Sequence, residues 1–359
     1  MFFSLTRSFY TLGLLALIVG AAYFIYQYFS PQALMYGAPV RDQLPALEAI
    51  APKAAAVELI FTGDVMLGRH VEVLSRRHTA AYIIKGIAPF FTTKERIVIT
   101  NFESAMASPH VPSPSGSFQF STATSTLAVL EALTVNFASL ANNHTLDYGA
   151  AGFKTTVKAL ADRGIVAFGH PITVNEQSVA YIEAGEYTVG LLGIHTLFSN
   201  PSREELKTVI DVMKERSDFQ VAYVHWGNEY ELVHSRAQAT LAADLVAAGI
   251  DAVVGHHPHV TQDIQLIGDV PVFYSLGNFI FDQYFSVDVQ QGYLLGLTLA
   301  KDEVTYRLYP HSSELVLSQP VLMGEEESAT YLEAVAARSA ATLRPGISQG
   351  TFTLPLATE

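Results

Sequence analysis

The stretch Asp251-Ala252-Val253-Val254-Gly255-His256-His257-Pro258-His259-Val260 carries three imidazoles within four residues, directly after a short apolar run. So brief a run reads as a buried strand rather than a helix. Pro258 blocks helical continuation and restrains the residue before it, so His257 and His259 leave an extended or turning segment on a shared side. Imidazole is the commonest protein ligand for divalent transition metals, although adjacent histidines on a polar loop can also simply be solvated.

The same event recurs along the chain. Val57–Phe61 leads to Asp64, Ile97–Ile99 to Asn101 and Glu103, and Phe137–Ala141 to Asn142, Asn143 and His144. Val221–Val224 leads to His225, and Pro271–Leu276 to Gly277 and Asn278. Each predicted strand delivers a ligand-type or small polar residue at its carboxyl end, the edge where open α/β sheets hold their ligands. Asp64, Glu103, Asn143, His225, His257 and His259 therefore form the candidate ligand set for a metal centre. Carboxylates with imidazoles suit Mn, Fe or Zn, and two such ions sharing a carboxylate generate hydroxide near neutral pH. His144 is the candidate proton donor to a leaving group, with a supporting hydrogen-bond role as its alternative. His256 is expected to support the pair after it, and Arg69 to be either a site cation or a salt-bridged residue. His195 also ends a strand, but the apolar residues beyond it read as packing.

Positioning these groups requires alternating strands and helices, which points to an α/β sheet sandwich. Helices are predicted from Arg69 towards His78, over 127–133, 150–163, 203–216, 236–248 and 325–343. Gly164 and Gly249 close two of them. Hairpins are predicted around Glu183–Glu186 and between Leu299 and Val304, and the last residues are expected to fray. Residues 109–116, rich in Pro and Ser, form a loop able to fold over the site.

Composition sets the boundaries. The chain has 359 residues, half of them hydrophobic, enough for one large domain with appendages. A net charge of −13 argues against a nucleic-acid partner, which needs clustered Lys and Arg. Without cysteine there are no disulfides, thiolate metal sites or thiol nucleophiles, so any metal takes N and O ligands.

The amino terminus has a different character. Residues 9–29 carry no charge and, as a helix, would span roughly 30 Å, the hydrocarbon thickness of a bilayer. Arg7 precedes the run and aromatic residues thicken its far end, which places the amino terminus inside the cell and the body outside. A cleaved signal peptide is the competing reading, but the apolar run is long and Ser30-Pro31-Gln32 is a poor cleavage site. Residues 30–56, with Pro31, Pro39, Pro45 and Pro52, read as a tether. The expected organisation is thus an anchor at 1–29, a tether at 30–56, a folded body at 57–323, and a helix and tail at 324–359.

Six motifs, Gly63–Arg69, Asn101–Glu103, Ala141–Gly149, His225–Tyr230, Gly255–Val260 and Tyr274–Phe279, resemble the CapA/PgsA poly-γ-glutamate capsule proteins. That family is itself similar to calcineurin-like metallophosphoesterases. The resemblance covers roughly residues 57–309 and implies a four-layer α/β/β/α sandwich, two divalent metal ions and a membrane-anchored, extracytoplasmic location. On this reading Asp64, Glu103 and His259 would hold one ion, and Glu103, Asn143, His225 and His257 the other. Asn142, Asp147, His256, Asn278 and Arg69 would support these groups or contact substrate. The chain departs from the phosphoesterase pattern at two places: Met66 stands where that pattern has a histidine ligand, and Glu103 where it has a bridging aspartate. The function implied is a metal-dependent hydrolase in capsule or poly-γ-glutamate assembly or export. Its alternatives are a non-catalytic subunit binding an anionic envelope polymer or a synthase complex, and a phosphoesterase acting on cell-envelope substrates.

Overall fold

A computed structural model describes residues 57–93, 95–198 and 200–356. The apolar segment and tether expected over residues 1–56 lie outside the described residues. Among the described residues no helix is long and apolar enough to cross a membrane.

The chain begins with β1 (Glu58–Val65), α1 (Arg69–Arg77), α2 (Ala80–Ile84), β2 (Arg96–Phe102), α3 (Ala128–Ala132), β3 (Val135–Ser139), α4 (Gly149–Ala161) and β4 (Val166–Phe168). It continues with β5 (Val179–Ala184), β6 (Tyr187–His195), α5 (Arg203–Lys214), β7 (Phe219–His225), α6 (Arg236–Ala248) and β8 (Ala252–His256). Then come β9 (Ile264–Ile267), β10 (Val270–Phe273), β11 (Asn278–Ile280), β12 (Gln291–Leu299), β13 (Glu303–Ser312) and β14 (Val321–Leu322). The last elements are α7 (Glu325–Arg338), α8 (Arg344–Ser348) and β15 (Thr351–Pro355).

Two sheets result. One runs β14-β13-β12-β1-β2-β3-β4, with β11 paired to β1 and β15 to β13, and the other runs β5-β6-β7-β8-β10-β9. Strands β1 to β4 are mutually parallel, as are β6, β7 and β8, so each sheet sends several carboxyl ends to one edge. The apolar strands are buried on both faces, as parallel strands covered by crossover helices must be. Leu59, Phe61, Ile97 and Ile99 of the first sheet pack with Leu191, Val221, Tyr223 and Val254 of the second in a shared core. Helices α1 to α4 cover the outer face of the first sheet through Val71, Ile83, Leu130 and Leu160. Helices α5 and α6 cover the second through Leu206, Ile210, Met213 and Leu245. The arrangement is mixed α/β, with two sheets sharing a core and helices on each outer face.

Local signals explain the helix ends. Ser202 with Glu205 and Ser235 with Gln238 form reciprocal capping boxes at the starts of α5 and α6. Gly249 closes α6 at φ 106°, a left-handed conformation that side chains resist.

Three expectations are corrected. The single helix expected over 325–343 stops at Arg338 and restarts as α8, because Ser339 turns extended and Pro345 suits the first turn of a new helix. Within the expected tail, Thr351–Pro355 is strand β15, antiparallel to β13, and residues 357–359 lie outside the described residues. The alternation of β15 places Phe352 against Tyr306, ring centroids 5.2 Å apart, and that packing outweighs the disorder usual at a terminus. The strand expected over 271–276 is shorter than expected. Strand β10 ends at Phe273 in the second sheet, and the chain then crosses to pair Asn278 with Asp64 in the first.

His311 on β13 is buried, its ring edge lies on Phe279, and neither ring nitrogen has a hydrogen-bond partner. Burial holds its pKa down to about 3, from 6.5. Unfolding below pH 6.5 therefore takes up a proton that the native state excludes, so acidification through that window lowers stability. His311→Leu is expected to flatten the fall in melting temperature between pH 6.5 and 4.5, removing at most about 1.4 kcal/mol per pH unit. Parallel curves for parent and variant, measured by thermal melts across that range, would contradict this assignment.

Candidate metal centre

The two sheets bring their carboxyl ends together. In the first sheet Asp64 is level with Asn101 and Asn101 with Ser139, just before Asn142, Asn143 and His144. In the second, His195, His225 and His256 stand level across β6, β7 and β8. Glycine makes the close approach possible at two points. A β-carbon at Gly63 would lie 2.2 Å from the Gly277 carbonyl oxygen, and one at Gly255 2.0 Å from that of Tyr274. Arg69, Tyr230, His257 and His259 adopt positive φ of 45°, 66°, 97° and 58°, a conformation costly for L side chains and concentrated here around one site.

Asp64 is fully buried and is the point on which donors converge. Its Oδ1 lies 2.8 Å from the Asn101 amide nitrogen and 3.0 Å from His256 Nδ1. Its Oδ2 accepts the His257 backbone N–H at 3.2 Å and lies 3.3 Å from His259 Nδ1. Asn101 Nδ2 also reaches Glu103 Oε1 at 2.8 Å and His225 Nδ1 at 3.1 Å. His225 Nε2 donates to Asn143 Oδ1 at 2.8 Å, and Asn143 Nδ2 lies 3.0 Å from His144 Nε2. His144 Nδ1 lies 3.0 Å from Asp147 Oδ2. One tautomer per histidine serves this series, which runs from Asp147 at the rim to the buried Asp64 and Glu103, and the two hydrogens of Asn101 Nδ2 serve two of its three neighbours at a time.

Two clusters have a metal-ligand arrangement: Asp64, Glu103 and His225, and beside them Glu229, His257 and His259. The ligand atoms within each lie within 4.8 Å of one another. The cluster of Glu229, His257 and His259 fits a divalent cation, since His257 Nδ1 is buried with no hydrogen-bond partner; Glu103 Oε2 and His256 Nε2 are also buried without one. His259 Nδ1 is 3.0 Å from Asn278 Oδ1, whose own amide donates to Gln283 and Val289, so His259 is left with Nε2 free.

Burial sets the charges. It would push Asp64 up, but the bonds from His256 and His259 prevail and hold its carboxyl well below the usual range. Burial, and then the charge of Asp64, raise Glu103 well above it. Burial and neighbouring imidazoles hold His225 far down and His257 at about 3, so both are neutral with lone pairs available.

All the residues singled out in the sequence lie around this site. His259 Nδ1 is 3.3 Å from Asp64 Oδ2, His225 Nε2 is 2.8 Å from Asn143 Oδ1, and the rings of His225 and His257 have centroids 4.8 Å apart. Arg69 is the salt-bridged alternative: it pairs with Asp282, donates to the Ser117 carbonyl at 3.0 Å, and stacks over Phe120. Phe120 in turn stacks on His144 at 3.8 Å, and its backbone N–H donates to Asp147 at 2.6 Å. The loop 109–116 leads directly into this contact, and its Ser113 hydroxyl accepts the Ser121 N–H at 2.8 Å.

Sequence reasoning assigned no role to Asn101, Glu229 or Asp282. Asn101 and Glu229 lie inside two of the quoted motifs, so a polar residue within reach of a ligand was the available signal. Asp282 gave none, because only the crossing after β10 brings it near Arg69. His195, read as packing, is level with His225, its Nδ1 lies 2.7 Å from the Pro171 carbonyl, and its Nε2 is buried and unpartnered.

Comparison with known proteins identifies the family. The bacterial capsule synthesis protein PGA_cap family matches residues 58–283, which span every candidate ligand. The PGA biosynthesis protein CapA of Bacillus subtilis is 30% identical over 239 residues, covering 62% of this chain and 63% of that one. The capsule biosynthesis protein CapA of Bacillus anthracis is 30% identical over 262 residues, covering 66% and 63%. A probable polyglutamine synthesis accessory protein of Mycobacterium tuberculosis is 27% identical over 201 residues, covering 49% and 53%. The chain thus spans a little under two thirds of the length of its Bacillus relatives. With the family's matched region enclosing the whole site, the chain belongs to the bacterial capsule synthesis protein PGA_cap family.

Proposed function

We propose that this protein is a metal-dependent hydrolase of poly-γ-glutamate capsule assembly or export, with a metallophosphoesterase-like four-layer α/β/β/α body. In this reading residues 9–29 anchor it in the cell membrane, and the body works outside the cytoplasm beside a polymer synthase. The observation that carries the proposal is the convergence of acidic, amide and imidazole groups from both sheets, with buried ligand atoms left unpartnered. The names of the Bacillus relatives, which refer to capsule and PGA biosynthesis, support the choice of pathway.

Glu229, His257 and His259 would hold a divalent cation of the Mn, Fe or Zn class. Lewis-acid polarisation of a carbonyl or phosphoryl group is the chemistry such an ion supplies when bound. The chain's own residues do the rest. Asp147 accepts from His144 Nδ1 and fixes its tautomer, so Nε2 is the atom that takes or returns a proton. Phe120 covers the imidazole on one face and keeps its plane. Asn143 bridges His144 and His225, tying the proton-handling group to the ligand set.

The second reading, a non-catalytic subunit that binds an anionic polymer or the synthase, is favoured by one residue. Met66, where phosphoesterases have a ligand, is fully buried and its sulfur accepts the Gly68 N–H at 3.0 Å.

A screen of γ-glutamyl anilides and aryl phosphodiesters, with Mn, Zn and Fe supplied separately, separates the two readings. The hydrolase reading expects metal-dependent turnover that His144→Gln lowers roughly 10²- to 10⁴-fold, with the metal content of that variant unchanged. His257→Ala is expected to lose the metal itself, by elemental analysis of the purified protein. Bound metal without turnover of any substrate would overturn the hydrolase reading in favour of the second.

A further inference from the structure

We propose that the Asn101 amide takes the place of an ion among Asp64, Glu103 and His225, so that the protein binds one divalent cation, at Glu229, His257 and His259. The inference rests on the metal-dependent reading above and sets its stoichiometry.

The orientation of Asn101 is set by its neighbour Asn142. Asn142 Oδ1 accepts the backbone N–H groups of His144 at 3.1 Å and Thr145 at 3.0 Å. A backbone N–H has no acceptor role, so these two donors fix the orientation of that amide. Asn142 Nδ2 is then the donor to the Phe102 carbonyl at 3.0 Å and to Asn101 Oδ1 at 3.2 Å. Asn101 is oriented in turn, with its oxygen towards Asn142 and its NH₂ group towards the ligands.

That nitrogen is 2.8 Å from Asp64 Oδ1, 2.8 Å from Glu103 Oε1 and 3.1 Å from His225 Nδ1. It therefore occupies the space between the three atoms that an ion would bridge. A carboxamide nitrogen donates and has no lone pair for a cation, and its hydrogens supply the positive end that the carboxylates require. All four residues are buried, so an ion entering here would have to displace the amide and break its bond to Asn142.

The neighbouring cluster has the opposite character. Glu229 is exposed and offers a way in, while His257 Nδ1 is buried without a partner. His259 is held through Nδ1 by Asn278, leaving Nε2 free. Two imidazoles and one carboxylate with an open side is a ligand set found in catalytic zinc sites. Asn101 is thus a positioning residue that selects one metal position over two.

The test is a metal count on the purified full chain, stripped with a chelator and dialysed against Mn(II) or Zn(II). The parent is expected to retain one equivalent, His257→Ala none, and Glu103→Gln still one. Asn101→Asp, which restores an oxygen ligand and a negative charge, is expected to retain two. Circular dichroism establishes that each variant is folded. Two equivalents in the parent would overturn the inference while leaving metal dependence intact, as would a single equivalent lost in Glu103→Gln but kept in His257→Ala. A folded Asn101→Asp variant that retains one equivalent would also overturn it. No metal in the parent would remove the metal-dependent reading itself.

Discussion

Asp64 has no contact with solvent, yet His256 and His259 hold its carboxyl in the charged form, and further donors reach it from both sheets. Asn101 comes from the adjacent strand of its own sheet, and His256, His257 and His259 come from the end of β8 in the other. A buried charge without partners costs several kcal/mol, so the sheets must meet where these donors can reach it. Other features follow from that requirement. Gly63 and Gly255 allow backbone to approach backbone, and the positive φ of His257 and His259 turns two consecutive imidazoles of the motif towards the same place. The series of hydrogen bonds out to Asp147 carries the same order to the rim.

Much of this was legible in the sequence because strand and ligand signals reinforce each other. Each parallel strand is an apolar run, and each ends where a polar side chain becomes useful, so Asp64, Glu103, Asn143 and His225 could be picked out before their meeting was known. Other parts were hidden for physical reasons. The crossing from β10 in one sheet to β11 in the other leaves no mark in hydrophobicity, since the chain is buried on both sides of it. The strand at 351–355 is only half-apolar and reads as a frayed end until Tyr306 is placed opposite Phe352. Asn101 was the least legible of all. An amide near the end of a strand says nothing of which way its NH₂ turns, and here Asn142 decides that through bonds of its own.

Membership of the PGA_cap family and the chemistry of this site meet at Glu229. The family is described as bacterial capsule synthesis protein, and its matched region encloses the site. An exposed carboxylate beside two buried imidazoles leaves an opening, and His144 with its Asp147 partner lies along the same hydrogen-bonded series. A purely structural polar core would gain nothing from an unpaired imidazole nitrogen at such an opening, since each unmet buried group costs about 1–3 kcal/mol.

Anomalous X-ray scattering from a crystal of the full chain grown with Zn(II), recorded on both sides of the zinc edge, tests the central claim most directly. The account predicts one strong peak beside His257, His259 and Glu229, with the Asn101 amide density intact between Asp64, Glu103 and His225. A peak lying among those last three residues, or no peak anywhere in the site, would contradict it.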